Sequence, residues 1–462
     1  MNSSFDINEG TPTDAAAELA FEREAHAGTR ARLKLLESKL LNFVPRDMIS
    51  LLNKGSLFNI SLGDQVEKKM AVMFTDMRDF TTLSENMTSQ QTFNMLNSYL
   101  SMMNPIISAH QGIIDKYIGD AIMVLFPTSS EDALSTALSM LARLKEYNAG
   151  RLRAGYRPIQ IGIGINTGLL MLGIIGGGNR MEGTVVGRTV NLASRLESFT
   201  KIYGTHLLIS EYTFCSLADP RRFSIRYLGR VKISEKTPAE SIYEVFDYDA
   251  PHVKELKTKS LKKFEEAVIY YHSREVARAL PILEGIVREN PDDNPAKMYL
   301  KRCNDYLETG NYVGAEESFG EVNCSGEYQT GFAEIDHQHQ ELLAHIRELY
   351  EAVMAGKNWG AISATADSLG KHIQVHFEFE EDLMRNHFYP FTSDHIAHHN
   401  SYTNNFLELK NDIEAQIENR LFLGLRIHLF LLSRLMNHLT YDDRHLGRFL
   451  NECGLLEPDL LP

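Results

Sequence analysis

The chain has 462 residues, which is too many for one ordinary hydrophobic core, so two or three domains are expected. Its net charge of −14 excludes sequence-independent nucleic-acid binding, which requires a basic face, and we expect no nucleic-acid partner. No apolar run approaches the roughly 20 residues that span a bilayer, and the polar N-terminus has no secretory pattern. We therefore expect a cytoplasmic protein without a membrane partner.

The N-terminal region is predicted to begin with disorder and to continue as a helix. Residues 1–14 are polar and rich in Thr, Asn and Gly, a composition typical of disorder. Within residues 15–67 a helical pattern carries apolar residues at a 3-4-3 spacing, namely Leu33, Leu36, Leu40 and Phe43. This spacing predicts either a short coiled coil or an amphipathic helix that packs on its own domain.

Two aspartates each adjoin an apolar stretch, and the apolar composition of these stretches predicts buried strands. Asp76 follows the apolar residues 71–74, and Asp120 precedes the apolar residues 121–126. Gly119 and Asp120 form the signal of a two-residue hairpin turn. The two aspartates are thus expected at the ends of neighbouring strands, where a buried pair would repel unless divalent ions were shared between them.

The next part of the chain alternates helices and strands. Apolar periodicity predicts helices over residues 90–110 and 131–147, and the alternating isoleucines of residues 159–168 predict a further strand. This order predicts an α+β domain with an antiparallel sheet. Asn191 and Arg195 are four residues apart, so they share one helix face and can address one ligand together.

Residues 68–248 resemble the catalytic domain of class III nucleotide cyclases. The resemblance rests on the two aspartate segments and on residues 184–197, TVVGRTVNLASRLE. It implies a ferredoxin-like α+β domain in which Asp76 and Asp120 bind two Mg²⁺ or Mn²⁺ ions. It also implies base-reading residues, Lys116 and Thr184, and catalytic residues that contact the transition state, Asn191 and Arg195.

The Lys116 and Thr184 pair resembles the branch that contains bicarbonate-responsive adenylate cyclases. Lysine can donate to an adenine ring nitrogen and threonine can accept from the exocyclic amine, whereas guanylate cyclases usually carry Glu and Cys at these places. The resemblance therefore implies ATP as substrate, 3',5'-cyclic AMP and pyrophosphate as products, and bicarbonate as a candidate activator.

A homodimer through the cyclase domain is also implied. Lys116 and Asp120 lie on one short hairpin yet must contact opposite ends of the nucleotide. The family solves this by taking the metal aspartates from one chain and the base-reading and transition-state residues from its partner. Two positions depart from the family pattern, since Asp79 stands where glycine is frequent and Arg188 where aspartate is frequent.

Residues 249–310 are predicted to form a short helical connector. Three helical patterns, over residues 261–271, 275–288 and 295–307, are similar to a tetratricopeptide unit, although one unit is too few for a solenoid. A connector that packs against its neighbours and a peptide-binding groove are the two interpretations. Residues 311–326 are predicted to be a linker.

The C-terminal part is rich in histidine, with twelve of the 17 histidines between residues 321 and 462. Helical patterns over residues 336–355, 359–384, 391–418 and 421–450 predict an all-α four-helix bundle. Histidines and carboxylates recur at helical spacing, as His376 with Glu380, His395 with His399, and His438 with Asp443. Five buried histidines with two carboxylates would be costly without a metal.

Residues 327–456 resemble bacterial hemerythrin domains. The matching segments are residues 335–339 (IDHQH), 376–384 (HFEFEEDLM), 395–399 (HIAHH) and 438–443 (HLTYDD). The resemblance implies a diiron site with the ligands His339, His376, Glu380, His395, His399, His438 and Asp443. The two carboxylates would bridge the irons, and the iron with two histidines would be open to O2. A mononuclear or zinc site is the alternative, and Arg434 stands where tryptophan is frequent.

The sequence thus predicts a multidomain adenylate cyclase regulated by O2 or by the redox state of a diiron hemerythrin domain. Two alternatives stay open. One is a guanylate cyclase, and the other is an O2-binding or iron-binding protein whose cyclase-like region only dimerises.

Overall fold

The computed structural model describes residues 21, 23, 26–36, 39, 46–85, 87–177, 180–232, 239–313, 329–416 and 419–455. The predicted disorder of residues 1–14 lies outside these ranges. Residues 26–36 are helical, with Leu33 and Leu36 exposed, but Leu40 and Phe43 lie outside the described ranges. The coiled-coil interpretation therefore stays a prediction. Most of the predicted linker, residues 314–326, also lies outside them.

A mixed sheet forms the centre of the first described region. Its strands are β1 (Gln65–Met77), β2 (Ile113–Ile118), β3 (Ala121–Phe126), β4 (Ile161–Gly177), β5 (Arg180–Val186), β6 (Leu207–Ser210), β7 (Ile225–Val231) and β8 (Glu240–Val245). The order across the sheet is β2-β3-β1-β4-β6-β8-β7, and β5 forms a hairpin with β4. The helices of this region are α1 (Arg46–Leu51), α2 (Phe80–Glu85), α3 (Ser89–Ala109), α4 (Ser130–Arg153), α5 (Arg188–Tyr203) and α6 (Glu211–Cys215).

The first four strands have the order of a ferredoxin-like core. Strands β1, β2, β3 and β4, with α3 and α4 between them, form an antiparallel β4-β1-β3-β2 array. The prediction of a wholly antiparallel sheet is wrong in one respect, because β6 is parallel to β4. The reason is the intervening helix α5, which carries the chain back across the sheet as a parallel pairing requires.

Strand β1 is central because both of its faces are covered. Ala71 and Met73 pack into one hydrophobic cluster with α3 and α4, whereas Val72 and Phe74 pack into a second cluster that includes Met48 of α1. Successive strand residues point to opposite faces, so a continuous apolar run satisfies two cores. This rigid strand ends at Asp76 and Met77, at the site described below.

Three helices follow the sheet and share its core. They are α7 (Pro251–His272), α8 (Val276–Glu289) and α9 (Asn294–Thr309), and their apolar faces join the cluster that contains Tyr227 and Leu208 of the sheet. Arg226 of β7 is fully buried between Glu244 of β8, at 2.6 Å, and Asp293 before α9, with two hydrogen bonds of 2.7 and 2.8 Å. These contacts support the interpretation of a packed connector over that of a peptide-binding groove.

Replacing Asp293 with alanine is expected to lower the free energy of unfolding by about 3–5 kcal/mol, because the buried Arg226 guanidinium then loses its bidentate partner. Urea denaturation of the full chain measures this. The matched control is Asp292→Ala, whose side chain is 73% exposed and should change stability by less than about 0.5 kcal/mol. Equal effects of the two substitutions would contradict a structural role for the Arg226 and Asp293 pair.

The C-terminal region contains four long antiparallel helices around a separate core. They are α10 (Ala333–Met354), α11 (Trp359–Asn386), α12 (Thr392–Glu414) and a fourth helix, α13, made of consecutive segments. The segments of α13 are Arg420–Arg426, Ile427–Leu432, Ser433–His438, Leu439–Asp443 and Arg444–Glu452, of which Ile427–Leu432 and Leu439–Asp443 are π-helical.

This helical region packs against the sheet region. Arg434 of α13 donates to Glu211 of α6 at 2.6 Å and to the Tyr243 hydroxyl of β8 at 2.7 Å. His445 of α13 lies 3.1 Å from a carboxylate oxygen of Glu67 in β1. Within the described ranges, no helix combines the length and the apolar character needed to span a bilayer.

Candidate functional site

Asp76 and Asp120 meet at one end of the strand pair β1 and β3. The register pairs Thr75 with Ile122, which places Asp76, the next residue of β1, beside the turn that contains Asp120. Gly119 precedes Asp120 with a φ of +67°, a conformation that glycine adopts without strain. Both carboxylates are half-buried.

The electrostatics of this pair favour a cation. Burial and the neighbouring charge of Asp120 raise the pKa of Asp76 to about 6. Glu197 belongs to the same cluster, because burial and the charge of Asp76 raise its pKa to about 7. A divalent ion would relieve the repulsion among these carboxylates, and oxygen donors are the ligands that Mg²⁺ prefers. Sequence reasoning missed Glu197, although it closes the segment 184–197.

Glu197 reaches this place because α5 lies unusually close to β4. Gly162, the β4 residue opposite Asp76, would place a Cβ 2.9 Å from a Glu197 carboxylate oxygen, and a Cβ at Gly164 would collide with the backbone of α5. The glycines of β4 therefore allow the helix to rest on the strand. The close packing of α5 on β4 also positions Asn191 and Arg195, whose side chains are exposed on α5.

Lys116 and Thr184 also come together. The Lys116 ammonium donates to the Thr184 hydroxyl at 3.0 Å and to Glu182 at 3.1 Å. This places one donor and one hydroxyl side by side, at the positions that the resemblance assigns to base reading. Within the described residues of one chain, no hydrogen bond joins this pair to Asp76 or Asp120.

Asp79 has a structural explanation at a position where glycine is frequent. Its φ is +54°, in the left-handed region that glycine favours and that aspartate tolerates. Its side chain is exposed and lies 3.5 Å from the Lys201 ammonium. The departure from glycine therefore concerns backbone conformation, and the carboxylate is exposed to solvent.

A second candidate site lies in the C-terminal helices. The structure brings together all seven predicted ligand side chains, each at most 8% exposed: His339, His376, Glu380, His395, His399, His438 and Asp443. Besides a group formed by His398, His438 and Asp442, two groups of the predicted ligands could each hold a metal ion, with ligand atoms within 4.8 Å of one another. One group contains Glu380, His395, His399 and His438, and the other contains His339, His376, Glu380 and Asp443.

The two carboxylates connect the two groups. Glu380 belongs to both. Asp443 lies 3.2 Å from His339 Nε2 and also 3.1 and 3.0 Å from the Nε2 atoms of His395 and His438. The cluster thus offers three histidines on one side, two on the other, and two carboxylates between them. This donor set fits two adjacent transition-metal ions, because imidazole and carboxylate both suit iron.

Hydrogen bonds around the cluster orient its histidines. The Nδ1 atoms of His376, His399 and His438 bond to the side-chain oxygens of Gln338 at 3.2 Å, Glu381 at 3.3 Å and Asp442 at 3.1 Å. A partner on Nδ1 leaves the Nε2 lone pair directed at the centre, as in protein metal sites. Sequence reasoning missed this role of Gln338 and Glu381, whose only signal is that each adjoins a ligand.

The centre also contains buried polar atoms that no described residue satisfies. These include Glu380 Oε1, His376 Nε2 and His339 Nδ1. Although burial opposes it, the surrounding histidines hold the pKa values of Glu380 and Asp443 well below their usual range. Ionised carboxylates and unpaired imidazole nitrogens in a dry core are costly, and a bound cation would compensate both.

The π-helical turn of α13 explains the spacing of its two ligands. His438 and Asp443 are five residues apart, which in a regular α-helix would turn one of them away from the centre. The segment Leu439–Asp443 closes i to i+5 turns instead, and the two side chains come within 3.0 Å. The sequence predicts a continuous α-helix here, so this detail was not predicted.

Neighbouring histidines are excluded from the centre by their positions. His337 is exposed and lies 3.6 Å from Glu341. His398 is buried, but its Nδ1 bonds to Asp442 at 2.8 Å rather than to the ligand cluster. Asp442 itself accepts from both His398 and His438, so it supports a ligand.

Known proteins are similar to this chain in its sheet region and, for one relative, over a longer stretch. The family model described as the adenylate and guanylate cyclase catalytic domain matches residues 63–245. The terminal-differentiation specific adenylate cyclase of Dictyostelium discoideum is 34% identical over 293 residues, and an adenylate cyclase of Anabaena cylindrica is 39% identical over 220 residues. Among solved structures, the adenylyl cyclase CyaB from P. aeruginosa is 33% identical with a TM-score of 0.36.

The shared segments are parts of longer proteins. The two curated alignments cover 62% and 46% of this chain but 14% and 44% of the relatives. This chain therefore spans less than half of the length of either relative. The solved structure is aligned over 40% of this chain and 96% of its own length.

Proposed function

We propose that this chain, in which residues 63–245 form an adenylate and guanylate cyclase catalytic domain, is an adenylate cyclase whose rate depends on a diiron centre in its C-terminal helices. The observation that carries the enzymatic part is the half-buried, mutually repelling pair of Asp76 and Asp120 beside a strand end. The seven converging ligands carry the regulatory part. The names of the curated relatives also support conversion of ATP to cyclic AMP and pyrophosphate.

In this mechanism the residues of the sheet region hold and orient ATP. Asp76 and Asp120 would hold two Mg²⁺ or Mn²⁺ ions, which when bound promote loss of the ribose 3'-hydroxyl proton and neutralise the triphosphate. Lys116 donates to an adenine ring nitrogen, and the Thr184 hydroxyl accepts from the exocyclic amine. Arg195 donates to the oxygens of the α-phosphoryl group as charge builds there, and Asn191 orients the ribose.

The active enzyme is a homodimer in this proposal. No hydrogen bond joins the aspartate pair to the Lys116 and Thr184 pair among the described residues of one chain, which supports a site built by two chains. One protomer provides the aspartates, and its partner provides the base-reading and transition-state residues. Two equivalent sites follow from the two-fold symmetry.

Mixing two inactive variants tests the shared site. Asp76→Asn and Arg195→Ala are each expected to be inactive alone, and an equimolar mixture should recover about a quarter of the wild-type rate. Random assortment makes half of the dimers heterodimers, and each heterodimer has one intact site of two. As a control, Asp76→Asn mixed with Asp120→Asn should stay inactive, because both substitutions then damage the aspartate half of each site. Recovery in the control mixture would overturn the shared-site arrangement.

The C-terminal helices form a hemerythrin domain in this proposal. His395, His399 and His438 would hold one iron and His339 and His376 the other, with Glu380 and Asp443 completing the ligand set. Such a pair of irons would supply reversible O2 binding or a change of redox state. The hydrogen bonds that His376, His399 and His438 donate from Nδ1 to Gln338, Glu381 and Asp442 would fix the histidine tautomers that this requires.

The test of the proposed function is the initial rate of cyclic nucleotide formation with ATP and with GTP, in the presence of Mn²⁺. The rates are compared for anaerobic reduced protein and for air-exposed protein of equal iron content. A higher rate with ATP that differs between the two states supports the proposal. A preference for GTP would make the protein a guanylate cyclase, and iron binding without any turnover would leave an O2-binding or iron-binding protein with a silent cyclase-like region. Bicarbonate, added in the same assay, should raise the rate if the implied branch is correct.

A further inference from the structure

One contact joins the ligand-bearing helix α13 directly to the helix that carries Asn191 and Arg195. The guanidinium carbon of Arg188 lies 4.3 Å from the centroid of the Tyr441 ring. Arg188 is the first residue of α5, and Tyr441 lies in the π-helical segment Leu439–Asp443. That segment directly follows one ligand of the metal cluster and ends at another.

Arg188 is held on two sides. Its guanidinium donates to Glu240, a fully buried carboxylate of β8, in addition to lying over Tyr441. The preceding residue, Gly187, has a φ of +151° and provides no side-chain cap for α5. Arg188 and Thr189, whose hydroxyl donates to the Leu169 carbonyl at 2.6 Å, therefore both attach the first turn of α5 to its surroundings.

The interface around this contact is buried and charged. The Tyr212 ring of α6 meets the Tyr441 ring edge-on at 5.8 Å. Arg434 and Asn437 of α13 both bond to Glu211, at 2.6 and 3.2 Å, and these side chains are at most 8% exposed. Breaking one partner of such a pair is costly, so α13 is fixed against the sheet region close to its ligands.

We propose that Arg188 is a positioning residue and that its contact with Tyr441 transmits changes at the metal ligands of α13 to Asn191 and Arg195. This inference rests on the diiron centre of the proposed function. The chain of contacts is short, since Tyr441 lies between His438 and Asp443 in sequence, and Arg188 precedes Asn191 by less than one helical turn.

A π-helical turn is a suitable element for this role. It is less stable than the α-helical turns beside it, and such turns are frequent at functional sites. A ligand shifts a conformational equilibrium only if it binds the two conformations with different affinity. A change in the winding of this segment would move His438 and Asp443. Because Tyr441 belongs to that segment, any change of its winding alters the surface that Arg188 contacts.

The experiment compares hydrogen exchange of the backbone amides of residues 188–195 in two states of the full, iron-loaded chain. The states are dithionite-reduced anaerobic protein and air-oxidised protein. In the wild type the exchange rates of these amides should differ between the states. Tyr441→Leu should reduce that difference by about threefold or more, because leucine lacks the ring face that attracts a guanidinium.

Matched variants separate this contact from general damage. Tyr441→Phe keeps the ring face and should keep the full difference. Asn419→Ser changes another contact between the helical regions, since Asn419 bonds to Glu266 and Tyr270 of α7, and it should keep the difference as well. Serine at this position also preserves the cap of α13. Iron content and visible absorption are measured for every variant.

Arg188→Lys serves as a second variant on the other side of the contact. It lies outside the C-terminal helices, so it should leave iron content unchanged while reducing the exchange difference, because lysine lacks the planar group. No difference in the wild type, or a full difference in both Tyr441→Leu and Arg188→Lys, would overturn the inference. An exchange difference that depends on Tyr441 in a protein that forms no cyclic AMP would overturn the proposed function and leave this inference standing.

Discussion

Replacing Asp120 with asparagine is expected to lower the rate of cyclic AMP formation by about three orders of magnitude or more. The substitution keeps the size of the side chain and the hairpin turn, but it removes one of the carboxylates that would hold the divalent ions. Initial rates at saturating ATP and several Mn²⁺ concentrations measure the effect. Added Mn²⁺ should restore little activity, because the neutral amide is a poor ligand for a hard cation.

Loss of folding does not explain this expected result. Asp120 raises the pKa of Asp76 through repulsion, so its removal relieves an unfavourable interaction in the metal-free protein. The unfolding temperature of Asp120→Asn should therefore equal or exceed that of the wild type. The matched control is Asp79→Asn, which removes the same charge from an exposed side chain and should change the rate by less than about threefold. A fully active Asp120→Asn protein would disprove the metal-binding role of the pair.

Replacing His376 with alanine is expected to weaken iron binding by at least about a hundredfold and to abolish the dependence of the cyclase rate on O2 or redox state. His376 is 1% exposed, and its Nε2 has no hydrogen-bond partner among the described residues. Cyclic AMP formation itself should persist, because His376 lies in the C-terminal helices. Iron content after dialysis, visible absorption and initial rates in both states are the measurements.

His337 provides the control for this prediction. It lies two residues from the ligand His339, but its side chain is 64% exposed and points to Glu341. His337→Ala should retain the iron and the regulated rate. If His376→Ala kept a full complement of iron, the ligand assignment would be wrong. If it lost the iron but kept the regulated rate, the bundle would not be the sensor.

The parts of both sites that follow from local periodicity could be predicted from the sequence. Residues four apart on a helix share a face, so the pairs His376 with Glu380 and His395 with His399 could be expected to converge. The hairpin at Gly119 and Asp120 was likewise visible, because the turn residues are specific. In each case the residues that form the sequence pattern and the contact that the pattern predicts are only a few positions apart in the chain.

The details that were missed depend on residues that are far apart in the chain. The approach of Glu197 to Asp76 requires glycines in β4, and the parallel pairing of β6 with β4 requires the crossover through α5. Arg434 pairs with Glu211, which lies more than 200 residues away in the chain. The hydrophobic periodicity of the sequence does not predict such a pair, because each partner alone is an ordinary charged residue.

The shared core of the sheet and the connector determines which piece of this chain could be exchanged between proteins. Phe264 and Tyr299 of the connector are fully buried in one cluster with Tyr227 of the sheet, and the family match ends before the connector begins. A fragment cut at residue 245 would expose this apolar surface to water and would be prone to aggregate. A graft of the catalytic domain onto a different sensor would therefore have to keep the three helices beyond it and to replace the contacts that α13 makes with Glu211 and Tyr227.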